Sequence, residues 1–264
     1  MPRRTFPDLL ALPRPALGTW SQIRSEEVVD MLGAAGFDFS IIDCEHGAFG
    51  IETAEKLIRA CDANAVVPLV RAPFADPVFI GQALDAGAAA VVVPGIASAE
   101  QARAMVAAAR FAPEGTRGAC PCVRAGDHFI RDWRGHVARQ RESVGVIALV
   151  ETRAGLEAIE EICAVKGLLA LLIGPFDLSV SLGHAGNYLG AEVQAAIGRM
   201  LRAAHARDLP VMAPIVDPDP IEAGRQRDDW LARGATAFVV GTDKIIVAHA
   251  LKTYSDALKS PTGS

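Results

Sequence analysis

Short apolar runs alternate with longer helical stretches eight times along this chain of 264 residues. Each run is rich in Val, Ile, Ala and Leu, which is typical of strands buried on both faces of a parallel sheet. Nearly all of the stretches between them space their apolar residues as amphipathic helices do. The predicted strands span residues 15–20, 37–43, 65–71, 88–94, 144–151, 168–174, 209–215 and 235–241.

This alternation predicts an α/β fold, a (β/α)8 TIM barrel, because an open sheet of this length would usually have fewer strands. At 51% hydrophobic residues the chain can bury one large core, so we expect a single domain over residues 1–264. A short extension (1–14) and a frayed tail (260–264) flank it. Three strands follow "AAGFD", "DAGAAA" and "ARGATA", where Gly36, Gly87 and Gly234 are expected to end helices in a left-handed turn.

Charge and cysteine content exclude several classes of function. The net charge of −5 gives no field that would attract nucleic acid or an anionic membrane. No 18 apolar residues run without a charge, so we expect no membrane span. The five cysteines are odd in number and show no paired spacing, which favours a reducing compartment, with the cytoplasm as the default.

Polar side chains follow most of the predicted strands. In a parallel barrel the strands' carboxyl ends meet on one face, so the residues after each strand are expected to share a rim. In chain order they are Trp20; Asp43, Glu45 and His46; Arg71; Pro94; Glu151; Asp177 in "GPFD"; Pro214 to Asp217; and Gly241, Thr242 and Asp243.

Two of these groups, Glu151 and Asp177, follow adjacent strands and could approach one point. Two carboxylates with open positions suit a hard divalent ion such as Mg²⁺ or Mn²⁺. The alternative is that each carboxylate only caps a following helix.

His46 and Arg71 are the other reactive candidates. A histidine can move a proton at physiological pH, although one after a strand is often a structural group. Arg71 ends an apolar strand, so its guanidinium should emerge at the rim and could hold a carboxylate or an enolate oxygen. The alternative for Arg71 is an ion pair with Asp43 or Glu45.

Other chemistries are disfavoured. No lysine is placed well for a Schiff base, and there is no GxGxxG, GxxxxGK[ST], HExxH or nucleophile elbow. The "CPC" of Cys120 and Cys122 lacks the second ligand pair of a zinc site. Residues 111–140 predict no strand; a long loop of this kind is often an active-site cover or a subunit contact, and its arginines a solvated or interface face.

Five motifs together resemble the metal-dependent 4-hydroxy-2-oxoheptanedioate aldolase family of class II pyruvate aldolases. They are "IIDCEHG", "VPLVRAP", "GTRGA", "VETRAG" and "LLIGPFDLSVSLG", in this order. The resemblance covers the chain from Leu17 to about Leu258. It implies a homo-oligomer, a hexamer built as a trimer of dimers or else a trimer, whose C-terminal helix packs on a neighbouring subunit.

The resemblance also implies roles for the rim residues. Glu151 and Asp177 would hold a divalent ion (Mg²⁺, Mn²⁺ or Co²⁺), to which pyruvate or another 2-oxo acid binds. His46 would be the base and Arg71 would stabilise the enolate, with Asp43 and an acid at Asp85, from this or another subunit, assisting. The remaining substrate-binding residues would be Trp20, Gly174, Pro175 and Phe176.

Three positions depart from the common pattern of the family: Leu149, where glutamine is frequent, Cys44 in place of glycine, and Phe176 in place of alanine. They put the aldehyde partner in question more than the reaction. The expected activity is reversible cleavage of a 4-hydroxy-2-oxo acid into a 2-oxo acid and an aldehyde. The alternatives are decarboxylation of oxaloacetate through the same enolate, or a non-catalytic barrel used for binding or assembly.

Overall fold

The computed structural model describes residues 4–259 as a closed barrel of eight parallel strands. The strands pair in sequence order and the last pairs with the first. The predicted α/β class and (β/α)8 topology are therefore confirmed. The predicted tail, residues 260–264, lies outside the described residues.

All eight predicted strands are present, most of them shorter than predicted at one or both ends. They are β1 (Ala16–Ser21), β2 (Phe39–Asp43), β3 (Val67–Arg71), β4 (Ala90–Val93), β5 (Gly145–Val150), β6 (Leu168–Ile173), β7 (Val211–Ile215) and β8 (Ala237–Thr242).

Helices lie between the strands and at both ends of the described chain. They are α1 (Phe6–Leu10), α2 (Glu26–Ala34), α3 (Ile51–Ala63), α4 (Pro77–Asp85), α5 (Ala99–Ala108), α6 (Trp133–Ser143), α7 (Arg153–Glu157), α8 (Ile159–Cys163), α9 (Pro175–Ser181), α10 (Ala191–His205), α11 (Pro220–Ala232) and α12 (Asp243–Lys259).

Alternate residues of each strand fill the barrel interior, and the others pack against the helices. Phe39, Ile41 and Leu69 belong to the interior cluster and are fully buried. Gly18 makes room for this packing, because a Cβ there would lie only 2.2 Å from the ring of Phe39. The interior is therefore a solid core, and only the ends of the strands offer space for chemistry.

The first helix closes the end of the barrel where the strands begin. Thr5 and Asp8 form a reciprocal capping box at its start. Phe6 and Leu9 are buried against the interior cluster. The part of the predicted extension that the structure describes thus covers the amino-terminal face, which leaves the carboxyl-terminal face as the open one.

The predicted glycine turns are confirmed. Gly36, Gly87 and Gly234 have φ angles of 85°, 102° and 85°, a conformation that side-chain-bearing residues rarely adopt. Each leads a helix back to the start of a strand.

Residues 111–140 hold a 3₁₀ turn (Arg124–Gly126) and most of α6, and no strand. The segment follows a helix and leads to the start of β5, so it lies at the amino-terminal face and does not cover the rim of its own barrel. Arg124 is not solvated as expected: it pairs with Asp62 at 2.6 Å and donates to the carbonyl of Ala86. A role of this segment in a subunit contact remains a prediction.

Helix α12 extends from the barrel with little cover. Within it only Asp243 is buried, whereas Leu251, Tyr254 and Leu258 are 67%, 74% and 83% exposed. Among the residues described, no helix combines the length and apolar character needed to span a bilayer.

Candidate active site

The carboxyl ends of β1, β2 and β3 bring three of the predicted residues into contact. Asp43 and Arg71 are partners in the register of neighbouring strands, and both side chains are buried. Trp20 ends the inward-facing row of β1, and its ring lies 4.2 Å from the guanidinium carbon of Arg71. The rim arrangement expected from the sequence is therefore present on this side of the barrel.

Asp43 and Arg71 form a two-point ion pair. Nε of Arg71 donates to Oδ1 of Asp43 at 2.8 Å, and Nη2 donates to Oδ2 at 2.6 Å. Burial alone would raise the pKa of Asp43, but the hydrogen bonds and charge of Arg71 outweigh it and lower that pKa. Asp43 therefore stays ionised and fixes the plane of the guanidinium, leaving Nη1 to face the rim.

Nη1 of Arg71 reaches Glu45, whose Oε2 lies 2.9 Å away. The alternative expectation for Arg71, an ion pair with Asp43 or Glu45, is thus confirmed, and Arg71 pairs with both of them. The contact with Glu45 is poorly aligned, because Oε2 is buried and has no hydrogen-bond partner among the described residues. Burial raises the pKa of Glu45 despite the nearby positive charge of Arg71. An oxygen left in this state is suited to accept from a water or a ligand.

Glu151 follows β5 and is 9% exposed. Its Oε1 accepts from the backbone N–H of Gly95 at 2.9 Å. Burial, and next the negative charge of Asp177, raise its pKa to about 7. Glu45 adds to this effect, so Glu45, Glu151 and Asp177 interact electrostatically at one place.

The turn after β6 carries Gly174, Pro175, Phe176 and Asp177. A side chain at position 174 would collide with Glu151, since a Cβ would lie 2.7 Å from its Oε2. Pro175 begins α9, and Asp177 in its first turn is exposed to the rim. Helix capping alone does not account for Glu151, which accepts from Gly95 on a different loop.

Two departures from the common family pattern line this region. Leu149 is 3% exposed, and its Cδ1 would lie 3.2 Å from a Cβ on Gly174, so it lies on the same side of Gly174 as Glu151. Phe176 is 56% exposed at the mouth. Cys44 is buried, which raises the pKa of its thiol to about 12 and makes it a poor nucleophile.

The acidic cluster suits a divalent cation. Three carboxylates, one of them with an orphaned buried oxygen, face a single arginine whose charge is largely used by Asp43. Among residues 4–259 no three His, Cys, Asp or Glu side chains form a complete ligand set. The crowding of negative charge at Glu45, Glu151 and Asp177 is the feature of this rim that favours a cation.

His46 and Asp85 lie in different places within one chain. His46 is exposed on the same rim, with its backbone N–H donating to Asp43 at 3.1 Å, and its charge lowers the pKa of Glu45 against the effect of burial. Asp85 ends α4 and pairs at 2.7 Å with Arg117, away from this rim. An effect of Asp85 on His46 stays a prediction that requires a neighbouring subunit.

Three residues of the site, Gln22, Asp243 and Gly95, were given no role from the sequence. Gln22 donates to Asp43 at 2.7 Å, and Asp243 accepts from the backbone of the loop that carries Gln22. Gln22 and Asp243 follow predicted strands, which is the one signal that could have indicated them. Gly95 could not be predicted from its side chain, because it donates to Glu151 through its backbone N–H.

Comparison with known proteins gives one consistent result. A family model described as HpcH/HpaI aldolase/citrate lyase matches residues 16–250. A hydroxypyruvate/pyruvate aldolase of Roseovarius nubinhibens is 34% identical, over 94% of each chain. A 2-dehydro-3,6-dideoxy-6-sulfogluconate aldolase of Pseudomonas putida is 37% identical, over 84% of this chain and 85% of its own. A crystal structure of a HpcH/HpaI aldolase/citrate lyase family protein from Burkholderia cenocepacia superposes with a TM-score of 0.86 at 30% identity, covering 94% of this chain and 95% of that one.

Proposed function

The chain belongs to the HpcH/HpaI aldolase/citrate lyase family, and from this premise we propose that it is a divalent-metal-dependent aldehyde-lyase. It would reversibly cleave a 4-hydroxy-2-oxo acid to pyruvate, or a related 2-oxo acid, and an aldehyde. The observation that carries the proposal is the convergence of Glu45, Glu151 and Asp177 with Arg71 on one rim. A barrel used only for assembly would have no need of this buried charge.

Glu151 and Asp177 would hold the divalent ion, which when bound supplies a Lewis acid for the oxygens of a 2-oxo acid. The fit rests on the excess of negative charge around Glu151, whose pKa burial and Asp177 raise to about 7. Mg²⁺, Mn²⁺ and Co²⁺ are the candidates, since all accept carboxylate ligands.

Arg71 supplies the positive charge for the oxygen that becomes negative. Breaking the C3–C4 bond of the substrate leaves its electron pair on the 2-oxo acid fragment, which becomes an enolate. Asp43 and Trp20 fix the guanidinium before the reaction begins, so no reorganisation is needed when the charge develops.

His46 moves the proton. In the cleavage direction it would take the proton of the C4 hydroxyl as the bond breaks, and the hydroxyl carbon leaves as the aldehyde. The enolate then gains a proton at C3, which His46 returns directly or through water, and it is released as the 2-oxo acid. His46 is exposed on the rim that carries Arg71, which is the position such a transfer requires.

The two substrates would occupy different walls of the mouth. The 2-oxo acid would lie against Gly174, Pro175 and Phe176, where the absence of a side chain at 174 allows Glu151 to approach this turn closely. The exposed ring of Phe176 would select the aldehyde. The aldolases named above include one for hydroxypyruvate or pyruvate and one for a sulfonated sugar acid, which supports a 2-oxo acid donor with a variable acceptor.

We further propose that the enzyme is a homo-oligomer, a hexamer or a trimer, acting in the cytoplasm. The exposed Leu251, Tyr254 and Leu258 of α12 support packing on a neighbouring subunit, because their spacing places them on one face of the helix and a contiguous exposed apolar face is typical of an interaction site.

A panel of aldehydes tested with pyruvate and hydroxypyruvate, with Mg²⁺, Mn²⁺ or Co²⁺ and with a chelator, tests the function. We expect carbon–carbon bond formation that requires metal. Release of CO₂ from oxaloacetate with no aldol product would favour the decarboxylase alternative. Absence of saturable metal binding would instead favour the non-catalytic barrel.

A further inference from the structure

The loop between β1 and α2 connects the reactive rim to the start of the C-terminal helix. Gln22 immediately follows β1, and its Nε2 donates to Oδ2 of Asp43 at 2.7 Å. The backbone N–H of Gln22 donates to both oxygens of Asp243 at 3.0 Å, and that of Ile23 donates to Oδ2 at 2.9 Å. One residue therefore touches both Asp43 and Asp243.

Asp243 is well suited to hold this loop. It is 2% exposed, begins α12 and also accepts from the backbone N–H of Lys244 at 2.7 Å. Both of its oxygens are engaged by backbone groups, which move less than side chains do. The loop and the first turn of α12 are thus fixed to each other, and the side chain of Gln22 starts from a rigid base.

Gln22 completes the set of donors around Asp43. Oδ1 accepts from Nε of Arg71 and from the backbone of Glu45 and His46. Oδ2 accepts from Nη2 of Arg71 and from Gln22. Within residues 4–259, Arg71 and Gln22 are the two side chains that donate to Asp43. Without Gln22, Oδ2 would be held by Arg71 alone, and the carboxylate could rotate about Oδ1, which the two backbone N–H groups would still hold.

We infer that Gln22 is a positioning residue of the reactive rim, which acts on Arg71 through Asp43 and is itself held in place by Asp243. The inference rests on the proposed function, because Arg71 matters to the reaction as the group that stabilises the enolate. An amide serves this purpose better than a charged side chain. It donates to Asp43 without competing with Arg71 for the negative charge, and a carboxylate at this position would repel Asp43.

Gln22→Met tests the inference, because it keeps the length of the side chain and removes the amide. We expect kcat to fall about 10- to 100-fold, the scale of one hydrogen bond to a charged group, with KM for the 2-oxo acid changed by less than about threefold. Asp243→Asn should lower kcat in the same direction. Gln82→Met, on the exposed surface of α4, is the matched control and should leave kcat unchanged.

A double-mutant cycle with Asp43 distinguishes a positioning role of Gln22 from a general loss of structure. In an Asp43→Ala background, Gln22→Met should lower kcat no further, whereas independent effects would multiply. A crystal structure of Gln22→Met should show a rotated Asp43 carboxylate and a displaced Arg71 guanidinium.

Wild-type kcat in Gln22→Met, or multiplication of the two effects, would overturn the inference. So would a Gln22→Met structure with Asp43 and Arg71 unmoved, which needs no activity measurement. A wild-type protein that forms no aldol product with any acceptor would instead overturn the proposed function, and the crystal structure would still decide the role of Gln22.

Discussion

Binding of Mg²⁺ should release a proton from Glu151 below neutral pH. Burial and the charge of Asp177 raise the pKa of Glu151 from its ordinary value of 4.5 to about 7 in the metal-free protein. A metal ion binds the carboxylate and not the acid, so the apparent association constant should fall about tenfold for each pH unit below about 7 and level off above it.

Calorimetry measures this release directly. Titrations with Mg²⁺ in two buffers of different ionisation enthalpy should give about one proton released at roughly pH 6 and nearly none at roughly pH 8. The physical cause is burial. Glu151 is only 9% exposed, so water solvates its ionised form poorly, and this raises the pKa of the carboxyl.

The raised pKa of Glu151 also predicts how the stability of the metal-free protein depends on pH. A carboxyl whose pKa is higher in the folded state contributes stability at low pH that is lost as the pH rises through the folded value. Between about pH 4.5 and about pH 7 the metal-free protein should therefore lose roughly 3 kcal/mol of unfolding free energy, at about 1.4 kcal/mol per pH unit. Urea unfolding with a chelator measures it, and Glu151→Gln should lack this loss.

Two results would contradict this reasoning. One is a proton release that is the same at both pH values. The other is a chelated wild-type protein whose unfolding free energy follows that of Glu151→Gln across the pH range. Either would mean that Glu151 is ionised throughout, and that the three carboxylates are less crowded than the structure indicates.

The remaining predictions concern single residues. Asp177→Ala should abolish saturable binding of Mg²⁺ and Mn²⁺ in calorimetry while leaving the circular dichroism spectrum unchanged, because Asp177 is one of the two proposed ligands and is exposed, not a core residue. His46→Ala should bind metal and 2-oxo acid normally but lower kcat by about 10²- to 10⁴-fold, the usual effect of removing a general base, and full activity would exclude His46 from the mechanism. Leu251→Glu should reduce the oligomer mass measured by light scattering without unfolding the barrel, since this side chain is 67% exposed on α12; an unchanged mass would exclude that face as an interface.

Pairings across the closed barrel could not be predicted from the sequence. Gln22 and Asp243 are 221 positions apart, and no local pattern relates them. Arg71 had two candidate ion-pair partners, Asp43 or Glu45; it contacts both, and it also lies over the ring of Trp20, which the sequence did not indicate. For Arg124 the sequence predicted a solvated or an interface position; the solvated one was wrong, because Asp62 and a helix-end carbonyl receive its guanidinium at the amino-terminal face, and the interface one stays a prediction.

The sequence by itself determined the eight strands, the left-handed glycine turns and the residues that reach the rim. These follow from short-range causes: the continuous apolar runs of strands buried on both faces, the conformational freedom of glycine and the convergence of parallel strands at one face. The tertiary structure alone decided that burial and the charge of Asp177 raise the pKa of Glu151, and that Arg71 contacts Asp43, Glu45 and the ring of Trp20 together. Both depend on burial and on distances between residues remote in sequence, and those are set only when the barrel closes.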